Sequence, residues 1–251
     1  MLDVNELGFD YGTRQILKDI GFGVLPGEVV VVLGPNGVGK STLLRCINSI
    51  LKPKSGTVMV EGENLLALGR DEIAKRLGYV AQRTETSRIT TFDAVLLGRK
   101  PRLGWNVNAR DLKIVHEMIR RLGLEALALR NIDSISGGEL QKVAIARALV
   151  QEPNLILLDE PTSNLDLKNQ IEILDAIRQV AKEQNISVVL TMHDINLALR
   201  YADSFLIIKE GKIFARGGPE IITPEVIEEV YGLPVAVESF NGFRLVIPVG
   251  N

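Results

Sequence analysis

Gly34-Pro35-Asn36-Gly37-Val38-Gly39-Lys40-Ser41-Thr42 satisfies the pattern G-x-x-x-x-G-K-[ST]. Glycines at such spacing let the backbone bend until successive N–H groups point at phosphate oxygens. Lys40 is then placed to reach the β- and γ-phosphates, and the Ser41 hydroxyl to ligate Mg²⁺. The pattern reads as a cradle for a nucleoside triphosphate and by itself names no family.

A second group is Leu155-Ile156-Leu157-Leu158-Asp159-Glu160. Four apolar residues ending in two carboxylates suit a buried strand that delivers Asp159 to a sheet edge, where it can hold Mg²⁺ through water. Glu160, one residue on, is placed to orient and deprotonate an attacking water. Alone, the pair also fits a solvated acidic turn. A third group is Ile135-Ser136-Gly137-Gly138-Glu139. Ser136 and Glu139 have capping-box spacing, so Ser136 is expected to start a helix running to about residue 150. The exposed N–H groups of Ser136, Gly137 and Gly138 form a second anion site, although a well-capped helix is the simpler reading of that segment alone.

These residues need elements to hold them. Short apolar runs between turns predict antiparallel strands near 2–9 and 15–24, then a buried strand over 28–33 and a helix from about 40 to 50. Strands are expected at 56–60 and 77–80. Between about 85 and 153 strand signals give way to helical periods, which reads as a helical insertion. Strands return at 154–158, 187–192 and 204–208, separated by helices near 167–183 and 194–201. Strands alternating with helices argue a mostly parallel sheet in an α/β fold. The tail reads as a short helix from Pro224 to Tyr231 and strand-like ends at 235–238 and 244–249.

The composition is that of an ordinary globular chain: 251 residues, 46% hydrophobic and 24% charged. A net charge of −2 gives no pull toward nucleic acid. One cysteine, Cys46, and two histidines, His116 and His193, argue against a disulfide framework and a zinc cluster. Cys46 and His116 match no functional position and read as structural, with His116 on the polar side of its helix. No run approaches the roughly 18 apolar residues of a membrane span, and the N-terminus lacks a secretory pattern. The expected location is therefore cytoplasmic.

Taken in order, these motifs resemble those of the ABC ATPases. The segment at 135–139 resembles the family signature Leu-Ser-Gly-Gly-Gln, with Ile135 for Leu and Glu139 for Gln. Tyr11, in Phe9-Asp10-Tyr11-Gly12, stands where the family stacks an aromatic ring on adenine. Gln82, in Tyr79-Val80-Ala81-Gln82, matches the Q-loop residue near Mg²⁺ and the membrane partner. Ser163-Asn164-Leu165-Asp166 resembles the D-loop, with Asn164 where Ala is commoner and Asp166 in its usual place. His193 matches the switch histidine that contacts the γ-phosphate. Singly, a tyrosine near a turn or a histidine after a strand reads as packing; their joint order over Tyr11 to His193 carries the likeness.

The resemblance implies a P-loop NTPase with a RecA-like core, an N-terminal antiparallel β subdomain and an inserted helical subdomain. It implies one domain over 1–251, with 1–84 and 154–251 forming the core and 85–153 the signature-bearing insertion. It further implies ATP and Mg²⁺ as cofactors and a head-to-tail dimer. In that dimer Ser136, Gly137, Gly138 and Glu139 of one copy meet the ATP held by Gly34 to Thr42 of the other. One nucleotide unit without a membrane span points to an importer ATPase. Its partners would be separate polytopic permease subunits and, indirectly, an extracytoplasmic binding protein, at the cytoplasmic face of the cell membrane. Val95-Leu96-Leu97-Gly98-Arg99-Lys100-Pro101 resembles the "LLGR-x-P" segment of iron-siderophore, haem and cobalamin uptake ATPases. The tail from Glu228-Glu229-Val230-Tyr231-Gly232 to Leu245-Val246-Ile247-Pro248 resembles theirs too, with no added regulatory domain of the sugar-importer kind expected. An importer of another solute such as molybdate, or a soluble ATPase that remodels a non-membrane partner, remains open at this point.

Overall fold

The structure, a computed structural model, describes residues 1–82, 87–102 and 106–249. In chain order its elements begin with β1 (Leu2–Tyr11), β2 (Arg14–Val24), β3 (Val29–Leu33), α1 (Lys40–Ile47), β4 (Ser55–Val60) and β5 (Glu63–Asn64). Next come α2 (Arg70–Arg76), β6 (Leu77–Val80), α3 (Thr91–Leu96), α4 (Ala109–Arg121), α5 (Gly137–Leu149) and β7 (Leu155–Leu158). The chain continues through α6 (Leu167–Gln184), β8 (Ser187–Thr191), α7 (Ile195–Tyr201), β9 (Ser204–Lys209) and β10 (Lys212–Gly217). It closes with α8 (Pro224–Tyr231), β11 (Val235–Phe240) and β12 (Phe243–Pro248).

Val29 to Leu33 offers no polar face, so β3 must be covered on both sides. It lies at the centre of a six-stranded sheet ordered β10-β9-β3-β8-β7-β6, parallel except for the edge strand β10. Its alternate residues feed two cores. Val29, Val31 and Leu33 join a core that includes residues of α3 to α7, while Val30 and Val32 face α1 and the second sheet. That second sheet, β2-β1-β4-β5, is antiparallel and packs Leu2, Val4, Leu17, Ile20 and Val58 against Leu43, Leu44 and Ile47. The third is the β11–β12 hairpin, which lies on α7. Fold class and sheet arrangement thus follow the α/β reading.

Three details differ from the sequence expectation. Helix α1 ends at Ile47 rather than near 50, because Ser49 turns left-handed (φ 52°) and the N–H groups of Ile50 and Leu51 both return to the Arg45 carbonyl. Helix α2 was not anticipated: only Ile73 is buried in it, so it carries no apolar period. Strand β10 was not anticipated either. It is an edge strand entered through a turn in which Glu210 and Gly211 both have positive φ, at 50° and 77°. The expected boundary at 84/85 falls outside the described residues.

Helices α3, α4 and α5 lie between β6 and β7 in the chain and share one apolar core. A buried cation ties them together. Arg99, 3% exposed, contacts Asp111 at 2.9 Å and donates to the Val150 carbonyl at 2.6 Å and to Glu152 at 2.8 Å. Arg102 extends the link by donating to the carbonyls of Lys75, Gln151 and Glu152. The guanidinium fork serves several acceptors at once, which a lysine cannot do. Replacing Arg99 by Met strands Asp111, which is 2% exposed. The expected loss is about 3–5 kcal/mol, read as a lowered denaturant midpoint, with Arg99→Lys recovering only part of it. Equal midpoints for wild type and Arg99→Met would refute this account.

Candidate active site

The phosphate loop begins where β3 leaves the sheet. Its glycines hold backbone angles that other residues rarely adopt: φ is 146° at Gly34, 76° at Gly37 and 113° at Gly39. At Gly34 space is also decisive, since a Cβ would lie 2.4 Å from the Ile208 carbonyl oxygen. Helix α1 then starts at Lys40 with no side-chain cap. Its first-turn N–H groups have no intrahelical partner and are available to an anion.

Lys40 is 5% exposed, and its Nζ donates to the carbonyls of Gly34 at 2.7 Å and Pro35 at 3.1 Å. Burial pushes its ammonium below the usual lysine value, while the carboxylates of Glu160 and Asp159 pull it back up. The loop lines a cavity of about 350 Å³ together with Tyr11, Arg14, Ile16 and Glu160; Asn36, Gly37, Gly39, Lys40, Ser41 and Thr42 form its floor. Tyr11 is half-exposed there and stands edge-on to Phe9 at 4.8 Å.

The acidic pair divides between two surroundings. Asp159, 1% exposed, accepts from the Ser41 hydroxyl at 2.8 Å and from the Thr191 hydroxyl at 3.0 Å, both on Oδ1. Its Oδ2 is buried and has no hydrogen-bond partner among the described residues. A bare carboxylate oxygen beside a serine hydroxyl is a hard-oxygen donor set, and phosphate oxygens and water complete such a set for Mg²⁺. The residues present therefore fit that ion.

Glu160 sits one step on, at a left-handed φ of 50° that swings its side chain out of line with the strand. Its N–H donates to Thr191 Oγ1 at 2.8 Å. One carboxylate oxygen accepts from Gln82 Nε2 and the other faces His193 Nε2, each at 2.5 Å. Both oxygens are thus held in a fixed direction at the mouth of the cavity. The Gln82 amide oxygen stays clear of this contact.

Ser136 and Glu139 form the complete capping box: Ser136 Oγ accepts from Glu139 N at 3.3 Å, and Glu139 Oε2 accepts from Ser136 N at 2.7 Å. These bonds hold the Glu139 carboxyl below its usual range, the Ser136 backbone contributing most and its hydroxyl next. Gly138 lies so close to Asn169 that a Cβ would meet its amide at 2.9 Å. Asn169 in turn donates twice to Asp166, which caps α6. Ser136, Gly137, Gly138, Glu139 and Asp166 thus form one surface, and none of them lines the cavity over the phosphate loop.

Sequence reasoning missed Thr191. It is fully buried at the end of β8 and links Asp159 to Glu160. The signal was a hydroxyl following the apolar run Val188 to Leu190, two residues before His193. His116 is exposed, with its ring 5.0 Å from that of Phe92, and Cys46 is buried, its thiol pushed up to about 12 by burial.

Comparison with known proteins gives the family. The family model described as "ABC transporter" matches residues 17–163. An uncharacterized ABC transporter ATP-binding protein of Methanocaldococcus jannaschii is 54% identical over 100% of this chain and 98% of its own length. A probable siderophore transport system ATP-binding protein of Bacillus subtilis is 36% identical over 99% and 93%. Among solved structures, an inward-facing putative metal-chelate type ABC transporter superposes with a TM-score of 0.85 at 31% identity, covering 99% of this chain and 96% of that one. An ATP-binding cassette dimer bound to ADP and Pi superposes with a TM-score of 0.77 at 30% identity, covering 87% and 98%. The chain belongs to the ABC transporter family, as an ATP-binding, ATP-hydrolysing subunit of the importer type resembling those of metal-chelate uptake.

Proposed function

We propose that two copies of this chain close head to tail around two Mg-ATP and thereby drive uptake of a metal chelate, of the iron-siderophore, haem or cobalamin type, through a separate membrane permease. The observation that carries this reading is the division of the phosphate contacts. Asn36, Gly37 and Gly39 to Thr42 line the cavity, whereas the N-terminus of α5, with Ser136, Gly137 and Gly138, opens elsewhere on the surface. A triphosphate carries enough negative charge to join two positive helix ends. Only a second copy brings the second end to it.

Within each site Lys40 neutralises the β- and γ-phosphates, and Tyr11 stacks on the base. Ser41 and Asp159 would hold Mg²⁺, with Gln82 a further candidate ligand, and the ion would supply charge neutralisation at the phosphate oxygens. Glu160, oriented by Gln82 and His193, takes the proton of the attacking water. His193 donates to the γ-phosphate as that contact forms. Glu139 sets the direction of the Ser136 cap, and Asp166 braces the adjoining D-loop through Asn169. Loss of the bridging phosphate lets the copies part, so the clamp is timed by chemistry.

Two further features support a permease partner. Among the described residues no helix is long and apolar enough to cross a membrane. A groove of about 870 Å³ lies between the α1–β4 connection, α2 and β6, lined by Ile50, Leu66, Leu68, Ile73 and Tyr79 with Lys52 and Arg70. It suits a short amphipathic helix, and β6 leads from it to Gln82. The metal-chelate reading rests on the siderophore relative and the metal-chelate type structure. The chain would then sit at the cytoplasmic face of the membrane.

Two variants test the site. Glu160→Gln is expected to bind ATP as wild type does while turnover falls by roughly 10²–10⁴. In Mg-ATP it should run as a dimer on gel filtration, and normal turnover would remove Glu160 as the base. Gly34→Ala forces a side chain against the Ile208 carbonyl at an unfavourable φ, which should cost about 1–3 kcal/mol. Calorimetric titration should show ATP affinity falling at least about ten-fold, and wild-type affinity would contradict the described loop geometry.

A further inference from the structure

The phosphate loop receives a contact from the far end of the chain. The Gly34 N–H donates to the Tyr231 hydroxyl at 2.9 Å, across 197 positions of sequence. The Gly34 carbonyl accepts from Lys40 at 2.7 Å, and the Ile208 carbonyl stands 2.4 Å from where a Cβ on Gly34 would lie, so no side chain fits there. Both backbone polar groups of Gly34 are thus engaged, and Tyr231 supplies the contact that comes from outside the loop.

The element behind Tyr231 is itself well anchored. Thr223 caps α8, Pro224 opens it and Gly232 ends it in a left-handed turn at φ 69°. Ile227 and Val230 are buried, and Glu229 pairs with Lys209 on β9. Burial raises the Tyr231 phenol above its usual value, so it remains a neutral hydroxyl. The following hairpin reaches the other side of the site. Asn196 donates to the Val246 carbonyl at 3.1 Å and accepts from its N–H at 2.8 Å. Asn196 is on the first turn of α7, three residues after His193. Tyr231, His193, Asn196 and Val246 all line one cavity of about 260 Å³.

We propose that the C-terminal segment, α8 with the β11–β12 hairpin, braces the nucleotide site, and that Tyr231 is a positioning residue that sets Gly34 and through it the phosphate loop. The segment lies beyond the residues 17–163 matched by the family model. Asn196 and Val246 form its second arm, which holds the start of α7 and hence His193. The inference rests on the reading of Gly34 to Thr42 as the ATP cradle.

The test compares full-length wild type, Tyr231→Phe, Asn196→Leu and Lys40→Ala by ATP titration, steady-state hydrolysis and melting with and without Mg-ATP. Tyr231→Phe keeps the ring and removes the acceptor, so the dissociation constant and KM for ATP should rise about three- to ten-fold, the worth of one positioning hydrogen bond. Its kcat should stay within about two-fold of wild type, because that bond acts before the chemical step. The rise in melting temperature on adding ATP should shrink. Asn196→Leu should give the opposite split, a lower kcat at nearly unchanged KM. A purely structural Tyr231 would lower both melting temperatures equally and leave ATP affinity at the wild-type value, which overturns the brace. If Lys40→Ala binds ATP like wild type, the cradle reading itself fails. If Lys40→Ala loses ATP while Tyr231→Phe does not weaken it, only the brace fails.

Discussion

One small hydrogen-bond hub joins the parts that must act together. Asp159 Oδ1 takes the hydroxyls of Ser41 and Thr191, Thr191 takes the N–H of Glu160, and the Asp159 N–H goes to the Val80 carbonyl. Four segments meet there: the start of α1, and the ends of β6, β7 and β8. Buried polar groups so fully paired resist displacement, because any shift leaves one of them unsatisfied. The Asp159 Oδ2 is the exception, buried with no hydrogen-bond partner among the described residues. The hub also resolves the repulsion between consecutive carboxylates. Asp159 is fixed inward by two hydroxyls, while the left-handed turn at Glu160 sends its side chain out toward Gln82 and His193.

What could be read from sequence was what local chemistry dictates. The glycine spacing of the phosphate loop, the apolar run into Asp159 and the Ser136–Glu139 cap each depend on residues within a few positions of one another. The parallel core strands were equally plain, since Val29 to Leu33 and Leu155 to Leu158 leave no face for water. Contacts between distant segments were not legible. Nothing near Thr191 says that its hydroxyl would join Asp159 to Glu160, and nothing near Tyr231 points to Gly34. Arg99 drew attention only through likeness to other sequences. Its physical role, a buried cation shared by Asp111, Val150 and Glu152, exists only once three separated segments are packed. Helix α2 stayed hidden for the opposite reason, since with one buried residue its local pattern is nearly silent.

The two helix ends assigned to phosphate differ in a way that bears on their use. The end of α1 has no side-chain cap, and Lys40 stands at its first position. The end of α5 is already capped by its own Ser136 and Glu139. A carboxylate at that position opposes an incoming anion, yet the hydrogen bond it accepts from the Ser136 N–H holds it turned to the backbone. Such an end keeps a modest positive field, worth about 0.3–1 kcal/mol toward a charge at the surface. In the proposed dimer the α1 end would hold ATP first, and the α5 end would add to it only where ATP is already held. That ordering, first the open end and then the capped one, is what a clamp needs if it is to close after nucleotide arrives and release when one phosphate is lost.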